Sequence, residues 1–307
     1  MGDDLKLKRV NKRMSLNSTM VFGPVLKRTI LTTHEKISFV SGHGIKVAII
    51  DSGVNNDVEV NERKDLTGFG VHDEIPGTHG THVAAIIKHF AKNAEIISIK
   101  VTRTRNNIDW GRVFVALKMA RDIGASIVNL SMGNYNKDHN IQCKGKCQIC
   151  KEVDSFVKMT GMTVVVAAGN DGPNDGSINC PAVLPSVVSV GALNYGGTNI
   201  AHFSSRSFDG GSVRPDLVTS GHVKRNDLTA DGTSFAAPVI TGVLAAAFSA
   251  YPSEKEKIIK LLLDSCSKLP APIHHQGHGA LNLQRFVEEI SNEENIFGHP
   301  EKQGHGG

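Results

Sequence analysis

The sequence predicts an α/β fold in three layers, with a mostly parallel central sheet covered by helices on both faces. Three observations carry that expectation. Short apolar runs rich in β-branched residues recur along the chain: IKVAII, EIISIKV, SIVNL, TVVVAA and SVVSV. Such runs, bounded by turn formers, read as strands buried on both faces, because a strand meeting water on one side would alternate apolar and polar residues. Stretches of helical period lie between them, and strands alternating with helices pack as parallel strands joined by crossovers. Finally, 307 residues with 40% hydrophobic and 21% charged side chains suffice for a large core.

The elements follow in order. IKVAII runs into Asp51, whose DSG reads as a turn. GTHGTHVAAII sets His79 at the front of a helix with Val83, Ala84, Ile87 and Phe90 on one face. EIISIKV ends at Val101, and Val113, Ala116, Leu117 and Ala120, spaced i, i+3, i+4, i+7, mark the next helix. SIVNL leads to Ser131 in SMG, and after the cysteine-rich CKGKCQIC a helix is expected from near Glu152. TVVVAA ends before Gly169 and Asn170, and SVVSV before Gly191.

DGTSFAAPVITG then opens an apolar helix, with Ser234 at its start and Pro238 in its first turn, where a missing N–H costs least. Its apolar stretch, Ala236 to Ala250, is broken by Pro238 and Thr241 and is short for a bilayer, so it reads as a buried helix. Pro252, Ser253 and Glu256 make a capping-box signal ahead of Ile259, Leu262 and Leu263. No repeat or linker interrupts the pattern. The expected organisation is an N-terminal extension over 1–25, one domain over 26–290 and a flexible tail over 291–307.

Charge and cysteine content narrow the setting. A net charge of +4, spread along the chain, argues against nucleic acid or an anionic membrane as partner. The N-terminus has no apolar core followed by a small-residue cleavage site, which leads to the expectation of a cytoplasmic protein. Five cysteines are an odd number and too few for a disulfide framework, in keeping with a reducing compartment.

Ligands of open parallel sheets bind beyond the carboxyl ends of the strands, where Asp51, Ser131 and Asn170 fall. Alone, each has an ordinary reading as a turn or cap residue. Together with His79 and Ser234 they form a set that chemistry can use. A serine hydroxyl needs a neighbouring base to take its proton, an imidazole suits that task near neutrality, and a buried carboxylate fixes the imidazole tautomer. The Asn170 amide and the Ser234 N–H could then donate to an oxyanion.

The order Asp, His, Ser and the segments VAIIDSGVN, HGTHVA, VVVAAGNDG and GTSFAAP resemble those of subtilisin-like serine proteases, the subtilases, from about Gly44 to about Asn282. The resemblance, nearest to the intracellular members, implies Asp51 as orienting carboxylate, His79 as general base and acid, Ser234 as nucleophile and Asn170 as oxyanion donor. It implies that Ser131, Met132 and Gly133 form a backbone strip for an extended peptide or protein substrate. Ala168 and Gly169 would form another wall, and His82 would be a structural helix residue. No cofactor is implied for the chemistry. The other reading is a catalytically silent peptide-binding protein on the same scaffold, against which the intact Asp51, His79 and Ser234 argue.

Departures from the family pattern also matter. The chain passes from HGTHVAAII directly into KHFAKNAEIISIKV, without the insertion that carries calcium in many secreted relatives. Oxygen-rich residues from Asp171 to Asn179 leave room for a weak calcium site. Cys143, Cys147 and Cys150, spaced C-x-x-x-C-x-x-C with Cys180 remote, are open to three readings: structural zinc, a redox-labile disulfide or free thiols.

Overall fold

Strand β2 (Lys46–Asp51) is buried at every position after Lys46, as its unbroken apolar run requires. In this computed structural model, residues 20–22, 41–75, 78–104, 108–134, 143–225 and 228–292 are described. Apart from Met20–Phe22, the expected N-terminal extension lies outside them, as does the tail beyond Asn292.

Seven strands form the main sheet: β3 (Glu62–Asp65), β4 (Glu95–Lys100), β2, β5 (Ile127–Leu130), β6 (Thr163–Ala167), β7 (Val188–Leu193) and β8 (Leu217–Ser220), in that spatial order. All neighbouring pairs are parallel. A smaller antiparallel sheet joins β1 (Met20–Phe22), β9 (His222–Arg225) and β10 (Leu228–Asp231).

Side-chain alternation divides the core into two layers. Val47 and Ile49 of β2, Ile127 of β5, and Val165 and Ala167 of β6 face helices α1 (His79–Phe90) and α4 (Thr233–Ala250). The intervening Ala48, Ile50, Val128, Val164 and Val166 face α2 (Trp110–Asp122) and α3 (Gln148–Thr160). Helices thus cover both faces, giving the expected three layers. The crossover leaving β2 runs through α1 on one face, whereas that leaving β5 runs through α3 on the other. Neighbouring strands whose connections part in this way open a crevice at their carboxyl ends, here beyond Asp51 and Leu130.

Helix α4 is apolar over its whole length because it is surrounded by protein: it packs on α1 and on strands β5 to β8. Further helices α5 (Lys255–Asp264), α6 (Ile273–Gln276) and α7 (Leu283–Asn292) follow it. The faces expected for α1 and α2 are the buried ones.

Several local expectations differ from the structure. Helix α3 starts at Gln148, with Cys147 as its N-cap, ahead of the expected Glu152. Ser253 does not cap α5, whose N-cap is Glu254 without a side-chain bond, and the buried positions are Ile258 and Leu262. Strand β7 runs through Gly191 to Leu193, where it stays paired with β8, and Gly191 sits where a Cβ would press on Pro215 and Ser204. Pro238 is the sixth residue of α4, not in its first turn, so its missing N–H leaves the Ser234 carbonyl without the usual helical donor.

Candidate active site

Asp51 ends β2, and the alternation that sends Val47 and Ile49 toward α1 sends Asp51 the same way. It is 2% exposed. Its Oδ1 accepts from the Ser52 amide at 2.7 Å and the Ser52 hydroxyl at 3.0 Å, and lies 2.8 Å from His79 Nδ1. Its Oδ2 is buried without a partner among the described residues. A carboxylate at Nδ1 fixes the proton there and leaves Nε2 as the basic nitrogen.

His79 is the first residue of α1 and follows Thr78, which is left-handed at φ 48°. Positive φ is an outlier for a β-branched residue, and such strain gathers at functional sites. The next residue must be glycine, because a Cβ on Gly80 would run into the Gly53 carbonyl. Glycine therefore lets α1 start against the turn that follows Asp51. His82 turns back instead, its Nδ1 2.9 Å from the Thr78 carbonyl, and burial pushes its imidazole pKa down. Beneath it Asp73 accepts from the Thr81 amide and hydroxyl. Burial raises its pKa, the Thr81 amide opposes that rise, and Asp51 adds to it.

Ser234 is the second residue of α4, half-buried. The carbonyl that Pro238 leaves unpaired accepts from the Ser131 hydroxyl at 2.7 Å. In return the Ser234 hydroxyl donates to the Ser131 carbonyl at 3.0 Å. Asn170 is anchored through Oδ1, which accepts from the Thr233 amide at 2.9 Å and its hydroxyl at 3.0 Å. Those two donors orient the amide, so Nδ2 is the group left to donate outward.

One cleft of about 560 Å³ is lined by Asp51, His79, Asn170, Ser234, Ser131, Met132, Gly133 and Gly169. Ala168, directly after β6, packs with its side chain on the α2 and α3 side, and its amide and carbonyl pair with Val190 and Asn179. Gly169 faces α4, donating to the Thr233 hydroxyl at 3.1 Å. A Cβ there would collide with the Asn179 side chain, and its φ of 110° also requires glycine. Met132 and Gly133 make no backbone hydrogen bond among the described residues, while the next residue, Asn134, pairs antiparallel with Cys180.

The supports of this cleft escaped sequence reasoning. Asn129 is fully buried in β5; its Oδ1 accepts from Thr241 at 2.8 Å and its Nδ2 donates to the Ser131 hydroxyl at 2.9 Å. This strut runs from mid-α4 to the Ser131 hydroxyl that holds Ser234. An asparagine inside the apolar SIVNL was the available signal. Asn129→Ala is expected to lower unfolding stability by about 1–3 kcal/mol, the range for stranding buried polar partners. Denaturant unfolding with an unchanged m-value would measure it, and a loss below about 0.5 kcal/mol would remove the strut's role.

In the Asp171 to Asn179 loop, Asp171 Oδ2 accepts from the Asn179 amide, while Asp175 faces His274 and His275. No disulfide links the cysteines, and Cys180, remote in sequence, joins Cys143, Cys147 and Cys150 with all four sulfurs within 4.8 Å of one another. Burial pushes the Cys143 thiol up, but the Cys147 amide and the surrounding thiols outweigh it and bring it down to about 7.

Known proteins repeat this architecture. A family model described as the subtilase family matches residues 42–279. The membrane-bound transcription factor site-1 protease of Mus musculus is 30% identical over 283 residues, covering 82% of this chain and 26% of the relative. The chain therefore spans about a quarter of the length of such relatives. Subtilisin DY of Bacillus licheniformis is 26% identical over 262 residues, covering 80% of this chain and 92% of the relative. Among solved structures, the prenylagaramide maturation protease PagA matches with a TM-score of 0.67 at 21% identity, covering 83% of this chain and 98% of that one.

Proposed function

Because the chain belongs to the subtilase family, we propose that it is a serine endopeptidase working through Asp51, His79 and Ser234. The observation that carries this reading is the 2.8 Å contact of Asp51 Oδ1 with His79 Nδ1, in a cleft shared with the Ser234 hydroxyl and the Asn170 amide.

The chemistry follows from those positions. His79 Nε2 takes the Ser234 proton as the oxygen attacks the peptide carbonyl, and Asp51 stabilises the imidazolium that forms. Asn170 Nδ2 and the Ser234 amide at the N-terminus of α4 donate to the oxyanion. His79 then protonates the leaving amine, and water hydrolyses the acyl-enzyme under the same base. The backbone of Met132 and Gly133, unpaired among the described residues, supports recognition of substrate as an added strand, which reads main chain before side chains.

Asn170→Ala is expected to lower kcat by about a hundred- to a thousandfold with little change in KM, the magnitude known for the matching asparagine of subtilisin. Steady-state kinetics on a peptide substrate checks it. An unchanged kcat would take Asn170 out of the oxyanion hole.

A further inference from the structure

We propose that Cys143, Cys147, Cys150 and Cys180 bind a structural zinc ion, which clamps the turn ahead of α3 to the loop behind the cleft. This centre lies outside the proposed catalytic set and stands independently of it.

Geometry is the first support. The four sulfurs lie within 4.8 Å of one another, with Cys143 and Cys150 3.7 Å apart. A tetrahedral zinc with Zn–S near 2.3 Å sets its sulfurs ~3.8 Å apart. A disulfide would use only two of the four converging sulfurs. A cubane iron–sulfur cluster binds each thiolate to a separate iron, which spreads the four sulfurs further than a single ion does.

The backbone around the thiols is arranged to match. Lys144 and Gly145 both have positive φ, 53° and 76°, and fold Cys143 back so that the Cys147 amide donates to its sulfur at 3.3 Å. An amide donor to sulfur is what a coordinated thiolate uses. Cys147 caps the 13-residue α3 and Cys150 lies in its first turn, so the positive end of the helix faces the four sulfurs. Lys144, Lys146 and Lys151 are exposed nearby in the chain and offset the negative charge. Cys180 arrives from a separate segment, held by a two-way backbone bridge to Asn134. As four small apolar side chains, these residues would have no reason to aim their sulfurs at one point.

On binding, the thiols release four protons and leave a doubly negative centre around zinc, which undergoes no redox change and favours soft sulfur ligands. The Asn134–Cys180 bridge continues the Met132–Gly133 strip, and Asn179 packs behind Gly133 and Gly169. Zinc at Cys180 therefore braces the back wall of the cleft. The other group of metal-type side chains, Asp175, His274 and His275, already holds a cation, since Arg206 approaches His275 at 3.2 Å.

The test is metal content of the full chain, purified under reducing conditions without chelator. About one zinc per chain is expected, with loss of zinc in Cys180→Ser and retention in Cys266→Ser, a buried cysteine outside the cluster. Cobalt(II) titration of the wild type should give the visible bands and near-ultraviolet sulfur-to-metal absorption of tetrahedral thiolate ligation. That titration decides the matter even if Cys180→Ser does not fold. Folded chain that takes up neither ion would overturn the proposal, as would iron in place of zinc or a Cys143–Cys150 disulfide found by mass spectrometry.

Discussion

Replacing Ser234 with alanine is expected to cut turnover on the order of a millionfold, the loss that removal of the nucleophile produces in subtilisin itself. The structure predicts that little else will change. Among the described residues the hydroxyl has one protein acceptor, the Ser131 carbonyl, and the backbone carbonyl of residue 234 keeps its own bond from the Ser131 hydroxyl. Unfolding stability should therefore move by about 1 kcal/mol or less. Peptide hydrolysis by wild type and variant, with a serine-directed phosphonate as covalent label, measures both halves. A variant free of host proteases that still turned over at the wild-type rate would sink the assignment. Failure of Ser234 in the wild type to take the label would favour a peptide-binding protein instead.

Asp51→Asn is the second large effect, with kcat expected to fall about ten-thousandfold, the loss this exchange gives in a serine protease of another fold. Here the reason can be read atom by atom. Oδ1 accepts two Ser52 donors beside His79, so the amide oxygen must stay at that position. The new NH2 group then falls where Oδ2 lies buried without a partner. The imidazolium loses its counter-charge, and an unsatisfied donor adds about 1–3 kcal/mol of destabilisation. Measurement of kcat together with unfolding tests the pair, and an active, fully stable variant would contradict both.

The legible part of the fold was the part whose burial is written locally. Strands β2, β4, β5 and β6 announce themselves as apolar runs because both faces are covered. The edge strand β3 reads ERKD and is only half-buried, so no apolar run marks it. Strand β8 is buried but four residues long. The proposed catalytic side chains could be found because they sit at strand ends and helix starts, where polar residues interrupt apolar ones. Their supports could not: Asn129 meets Thr241 across 112 residues, and Cys180 meets its fellow cysteines only through the fold.

The paired bonds between Ser131 and Ser234 also bear on timing. In the resting protein the Ser234 hydroxyl, the proposed nucleophile, points its proton at a carbonyl, which cannot take it. In the proposed mechanism, rotation about a single side-chain bond must free that proton before His79 can receive it. Rotamer changes of half-exposed side chains take picoseconds to nanoseconds, far below the time of a catalytic cycle. On the proposed mechanism Ser234 is thus parked between turnovers and armed without measurable delay, and the latch that parks it belongs to the strip proposed to take the substrate.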